Sequence, residues 1–125
     1  MKKNLITTAA LLLLMAVLPS GAGAQQMNSP SGELSLNVEC NGGIVVYALD
    51  YKGMPVILPS RLGLTGDEAD LASGFTVAAV SRDTVDQSWT PVWGEYASVR
   101  DHYNEMVLTL VQEGTGRQVV VRFRL

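Results

Sequence analysis

The feature that most constrains this chain is a strict two-residue alternation. Leu34, Leu36, Val38 and Cys40 alternate with Ser35, Asn37 and Glu39. A period of two puts the apolar set on one face of an extended strand. Asn41-Gly42-Gly43 follows, and these residue types accept positive φ at low cost, so they end a strand in a tight turn. Ile44 to Tyr51, rich in β-branched and aromatic residues, reads as the answering strand, and Lys52-Gly53 turns the chain again. Met54 to Leu58 then reads as a short edge strand carrying Pro55, with a further short strand over Arg61–Leu64.

The same grammar continues to the C-terminus. Thr65 to Gly74 is polar, acidic and bounded by glycine, which predicts a loop. Phe75 to Arg82 reads as a strand, Asp83 to Glu95 as irregular, and Tyr96–Asp101 and Asn104–Gln112 as two further strands. Glu113-Gly-Thr-Gly116 is a hairpin turn, answered by Gln118 to Leu125. In that last run Val119, Val121, Phe123 and Leu125 share one face, while Gln118, Arg122 and Arg124 take the other. Short strands at regular spacing, with turn signals between them and no long amphipathic helix, predict an all-β antiparallel sandwich.

The N-terminus is of another kind. Met1-Lys2-Lys3 is basic, Leu5 to Leu18 is apolar apart from Thr7 and Thr8, and Ala22-Gly23-Ala24 is a small-x-small cleavage site. That is the build of a secretory signal peptide over residues 1–24, and the apolar run is short for a membrane span. The expectation is an exported protein, periplasmic or extracytoplasmic, that does not span the membrane after cleavage. Removing 24 residues from 125 leaves 101, enough for one modest domain. The remainder keeps seven basic against twelve acidic side chains, a balance of −5 that argues against a nucleic-acid surface. One cysteine, Cys40, cannot form an internal disulfide, and on its strand face it reads as a buried inert thiol. Leu125 ends the sequence within an apolar strand, which fits either a fragment of a longer protein or a closing C-terminal strand.

The segment Trp89-Thr-Pro-Val-Trp-Gly-Glu95, with Arg100-Asp-His-Tyr-Asn-Glu105 after it, concentrates the chemistry. Both tryptophans, the only histidine and two of the four tyrosines fall here. Large aromatics with a polar tip suit a flat, half-polar partner, so the segment reads as a surface loop that packs on or binds something. The candidates for carbohydrate contact or domain packing are Trp89, Trp93, Glu95, His102, Tyr103, Asn104 and Glu105. Salt bridges and loop-fixing hydrogen bonds explain Glu95, Arg100, Asp101, His102 and Glu105 better than a metal site does, because one histidine among scattered carboxylates offers no convergent donor set. Asp67, Glu68 and Asp70 lack the glycine and terminal glutamate of an EF-hand and read as a solvated loop.

Four segments together resemble the N-terminal region of glycoside hydrolase family 97, secreted bacterial α-glucosidases and α-galactosidases. They are Ser29-Pro-Ser-Gly-Glu-Leu34, Tyr51-Lys-Gly-Met-Pro-Val-Ile-Leu-Pro-Ser-Arg-Leu-Gly-Leu64 and the two aromatic motifs above. The resemblance implies a galactose-mutarotase-like β-sandwich, incomplete in this chain, followed in the family by a catalytic (β/α)8 barrel. It implies that the catalytic carboxylates and the calcium ion belong to the barrel, leaving this chain without a cofactor or catalytic residue of its own. Its implied partners are the missing barrel and, through the parent enzyme, an α-glucoside or α-galactoside. Glycoside hydrolysis needs two carboxyl groups set across a sugar-binding cleft, and a partial sandwich offers no evident place for them. The alternative is a free-standing exported sandwich that binds a glycan or protein through the Trp89–Trp93 loop.

Overall fold

The computed structural model describes residues 23–125; the signal-peptide expectation, up to residue 22, lies outside the described residues. Two antiparallel sheets face each other. The first has the order β1-β2-β3-β4, built from β1 (Gln25–Asn28), β2 (Leu34–Asn41), β3 (Ile44–Tyr51) and β4 (Met54–Leu62). A small ladder of β5 (Leu64–Thr65) and β6 (Asp70–Leu71) follows. The second sheet has the order β7-β8-β9, built from β7 (Phe75–Trp89), β8 (Val99–Gln112) and β9 (Gln118–Arg124). The described residues contain no helix.

The turns explain the register of the first sheet. Asn41 pairs with Ile44 and Tyr51 with Met54, so each hairpin closes in two residues. Gly42 and Gly43 have φ of 58° and 78°, and Lys52 and Gly53 have 50° and 78°. Positive φ at both central positions matches the right-handed twist of the flanking strands. The β1–β2 turn is held by Ser29, whose N–H donates to the Leu34 carbonyl at 3.0 Å and whose Oγ accepts from the Leu34 N–H at 3.1 Å. That bonding gives the Ser29–Leu34 motif its structural role.

The core forms where the alternating faces meet. Leu36, Val38 and Cys40 of β2 and Val45 of β3 pack towards Met106, Leu108 and Leu110 of β8, with Met27 and Phe75 completing the cluster. Each large side chain so buried contributes roughly 1.5–3 kcal/mol. Val119, Val121, Phe123 and Leu125 lie against this core on the face their alternation predicts, only partly covered. Cys40 is buried, its Sγ donating to the Phe75 carbonyl at 3.3 Å, and burial pushes its thiol pKa up. Gln112, also buried, donates to the Asp70 and Ser73 carbonyls at 2.7 and 2.9 Å and ties the 70–74 segment to β8.

Several boundaries differ from the sequence expectation. β4 runs through Pro59 to Leu62 instead of stopping at Leu58, so Arg61 and Leu62 belong to it. The ladder shifts register between Tyr47 and Leu49 and between Leu49 and Asp50; the first shift takes in Pro59, while Pro55 pairs with Asp50 on an edge strand where a missing N–H is tolerated. The expected 65–74 loop contains the short β5–β6 pairing. Asp83–Trp89 is strand rather than irregular, because it pairs residue by residue with Val99–Glu105. The two expected strands 96–101 and 104–112 are one, Val99–Gln112. β1 is an additional strand, whose Met27 alone of its four residues is apolar and core-facing.

Candidate interaction site

The β7–β8 hairpin is the longest element pair of the described residues, and its outer half projects past the core. Beyond Arg82 and Met106 every paired position of β7 is exposed or half-buried. The ladder closes at Trp89, which pairs with Val99, and residues 90–98 form an irregular tip. At that tip Val92 is 98% exposed, Trp93 91% and Trp89 53%, with Tyr96 also exposed. So bare an aromatic cluster contributes little to the folding of this chain.

The arm that carries the tip is stapled. Arg100 donates from Nε and Nη2 to the two carboxylate oxygens of Asp86, both at 2.7 Å. This fork-on-fork geometry is the directional form of an ion pair. The Arg100 hydrogen bonds, and then its charge, hold the Asp86 carboxyl below the usual carboxylate range, and Asp86 raises Arg100 in turn. Gln87 adds a longer bond to Asp101 at 3.5 Å.

A second feature lies at the base of the arm. Gln26, Met27 and Asn28 of β1 and Arg82, Asp83, Thr84, Asn104 and Glu105 of the hairpin line an open cleft of about 610 Å³. Arg82 donates to the Gln26 carbonyl at 2.5 Å and to Gln25 Oε1 at 3.0 Å. Asn104 Nδ2 donates to the Asn28 carbonyl at 2.7 Å, while its Oδ1 accepts from Thr84 Oγ1 at 2.8 Å. These bonds clamp β1 to the hairpin, so the cleft's polar groups are largely occupied by the fold itself.

The seven sequence candidates therefore separate into three sets. Trp89, Trp93 and Glu95 lie at or in the tip; Asn104 and Glu105 lie at the base, five or more residues along β8 from Val99, roughly 17 Å at strand rise. His102 and Tyr103 lie between, on opposite faces of β8, with His102 across the ladder from Asp86. Tyr103 stacks under Arg124, whose guanidinium carbon is 4.8 Å from the ring centroid. The Glu105 side chain is 16% exposed and accepts from Arg124 Nε at 2.7 Å, with Arg122 Nε at 3.5 Å. Glu105 and Tyr103 thus serve the β8–β9 ladder, and the hydrogen bond that Arg124 donates to Glu105 raises the Arg124 pKa. Sequence reasoning missed Asp86, Arg82, Thr84 and β1. Asp86 and Arg100 sit fourteen residues apart, and only the hairpin register brings them together.

Among the described residues no three His, Cys, Asp or Glu side chains converge as metal donors.

The profile of the family described as Glycosyl-hydrolase 97 N-terminal matches residues 27–125. The chain belongs to this family. Solved structures agree with the glycosyl-hydrolase 97 assignment. A glycoside hydrolase family 97 enzyme from Pseudoalteromonas sp. strain K8, in complex with acarbose, is 25% identical with a TM-score of 0.74; the match covers 80% of this chain and 15% of that one. A variant of a family 97 enzyme from the same strain, in complex with panose, matches with the same identity, TM-score and coverage. A β-arabinopyranosidase is similar in fold, at 24% identity and a TM-score of 0.72, with 81% of this chain and 16% of that one covered. The chain thus spans about 15% of the length of the first of these structures. The all-β sandwich expected from the alternation is the fold found.

Proposed function

We propose that this family 97 N-terminal chain is the accessory β-sandwich portion of an exported α-glycosidase, supporting sugar binding and the catalytic barrel without hydrolysing glycosides itself. The observation that carries the reading is the stapled β7–β8 arm with Trp93 and Val92 bared at its end. Apolar side chains held out on a braced arm gain their burial only against another surface. The catalytic domain of the parent enzyme is the surface the family implies, and packing there is the main role of Trp89 and Trp93. The complexes of relatives with panose and acarbose support a carbohydrate partner for the whole enzyme. An α-glucoside or α-galactoside is the substrate class we favour, bound with the calcium ion in the barrel. The basic, apolar and small-residue order of the N-terminus supports export to the periplasm or beyond, with the chain released from the membrane by cleavage before Gln25.

The absence of activity is tested by assaying the purified chain on α-glucosides and α-galactosides. No turnover is expected; turnover that follows the chain through rigorous purification would overturn the reading.

The exposure of Trp89 and Trp93 also favours a second reading, in which the tip stacks directly on a glycan. Quenching or shift of their fluorescence on titration with α-linked oligosaccharides, abolished in Trp93→Ala, would select it.

A further inference from the structure

We infer that Gln25, once cleavage makes it the first residue, closes on itself to a pyroglutamyl ring, with Arg82 assisting the closure. The inference rests on the proposed cleavage before Gln25 and adds to it a modification site within this chain.

The Gln25 carboxamide is held at both ends. Its Oε1 accepts from Arg82 Nη2 at 3.0 Å, and its Nε2 donates to the Gly23 carbonyl at 3.4 Å. A guanidinium only donates and a carbonyl only accepts, so the two contacts agree on which end is oxygen. Contact with a residue two positions earlier means that the side chain lies back along the chain, towards its own backbone nitrogen. Arg82 is itself fixed, because its Nη1 donates to the Gln26 carbonyl at 2.5 Å.

Cleavage after Ala24 turns the Gln25 peptide nitrogen into a primary amine and removes the Gly23 carbonyl that held Nε2. The amine nitrogen then attacks Cδ, and the new N–Cδ bond closes a lactam. In the tetrahedral intermediate the negative charge falls on Oε1, the atom Arg82 already touches, and a donor placed there stabilises it. The Cδ–Nε2 bond breaks, and Nε2 takes the proton lost by the amine and leaves as ammonia. No oxidant or second substrate is consumed. Arg82 also sets a positive charge near the amine, which favours its unprotonated, nucleophilic form.

The product suits the strand. The Ser29 N–H donates to the Leu34 carbonyl, and bonded and non-bonded pairs alternate along an antiparallel ladder. Counting back in the observed register, Met27 and Gln25 turn their backbone groups to β2, while Asn28 and Gln26 turn theirs outward, where Asn104 and Arg82 donate to them. A lactam nitrogen keeps one N–H, so the pairing of Gln25 with Val38 survives closure. The ammonium that would otherwise stand near Arg82 is gone, and an aminopeptidase finds no free amine. β1 has only four residues, so trimming it would remove the carbonyls that clamp it to the hairpin.

The test uses the chain released at Gln25 by a site-specific protease from a fusion partner, incubated at neutral pH and followed by intact mass and by labelling of the terminal amine. The mass should fall by one ammonia, and faster in the folded chain than in concentrated urea. One oxyanion donor is worth about 10²–10³ in rate in a water-excluded site and less in an exposed one, so Arg82→Ala should slow closure of the folded chain by about tenfold. Arg82→Lys, which keeps a cationic donor, should restore part of the rate. Closure no faster in the folded parent than in urea, or unchanged in a folded Arg82→Ala, would overturn the inference. N-terminal mapping of the chain exported with its own leader separates this from the cleavage reading: a free Gln25 amine there overturns the closure alone, and a start at any other residue overturns both.

Discussion

Asp86 and Arg100 meet diagonally across the β7–β8 ladder, two N–H···O bonds of 2.7 Å closing the arm just below the exposed tryptophans. Asp86 pairs in register with His102 and Arg100 with Ser88, so the bridge spans two rungs. Replacing Arg100 with Ala should loosen the tip without unfolding the core. Amide exchange at Trp89 and Val99 should quicken while that of Val38 and Leu108 is unchanged. Unchanged protection at the tip would show that the bridge orders nothing.

The same pair sets a pH dependence with a definite sign. The folded pKa of Asp86 is lowered, chiefly by the hydrogen bond from Arg100. Its contribution is therefore complete above the ordinary carboxylate pKa and is lost as pH falls through the lowered folded value. Tip protection should be full at neutral pH and decline progressively once pH falls below the ordinary carboxylate value, with the contribution gone below the lowered folded value. In Arg100→Ala that acid step should disappear.

Core and tip should respond oppositely to truncation. Leu108 is 1% exposed, and Leu108→Ala should cost about 2–5 kcal/mol in urea unfolding, as cavity-forming changes do. Val92→Ala, at 98% exposure, should stay within about 0.5 kcal/mol of the parent. Equal losses at the two sites would mean that the tip is folded onto the core in solution.

Gly43 tests the close approach between the two sheets. A Cβ there would sit 2.9 Å from Gly74 Cα and N at a φ of +78°, whereas Gly53 has the same φ with open space around it. Gly43→Ala should destabilise by about 1–3 kcal/mol more than Gly53→Ala, since backbone cannot yield as a side chain can. Equal effects would show that only the dihedral matters.

Much of this architecture is written in local pattern. The alternation from Leu34 to Cys40 and from Val119 to Leu125, and the Asn41–Gly43 and Lys52-Gly53 turns, specify faces and hairpins within a few residues of chain. What was not legible depends on pairing at a distance. Asp83–Trp89 has few apolar residues and reads as loop; it is strand because Val99–Glu105 supplies its hydrogen bonds. Pro59 reads as a stop, yet a bulge on an edge strand carries β4 past it. β1 is four residues with one apolar side chain, visible only once Arg82 and Asn104 are seen donating to its carbonyls. Of the candidate site residues, the aromatic tip was legible as an exposed feature, while the diversion of Glu105 and Tyr103 to the β9 arginines was not, since it needs the β8–β9 register.

The thiol offers a simple check of the sandwich interior. Burial pushes the Cys40 pKa up and its Sγ donates to the Phe75 carbonyl, so it should resist alkylation at neutral pH and react only on unfolding. Prompt labelling of the folded chain would place β2 differently.

The central claim is that the aromatic tip packs against a catalytic domain, with direct sugar contact secondary. It is tested most directly by converting the tryptophans aligned with Trp89 and Trp93 to alanine in a full-length family 97 enzyme, then measuring thermal stability and sugar affinity together. A fall in melting temperature with inhibitor affinity nearly preserved is the predicted result; unchanged stability with collapsed affinity would contradict it.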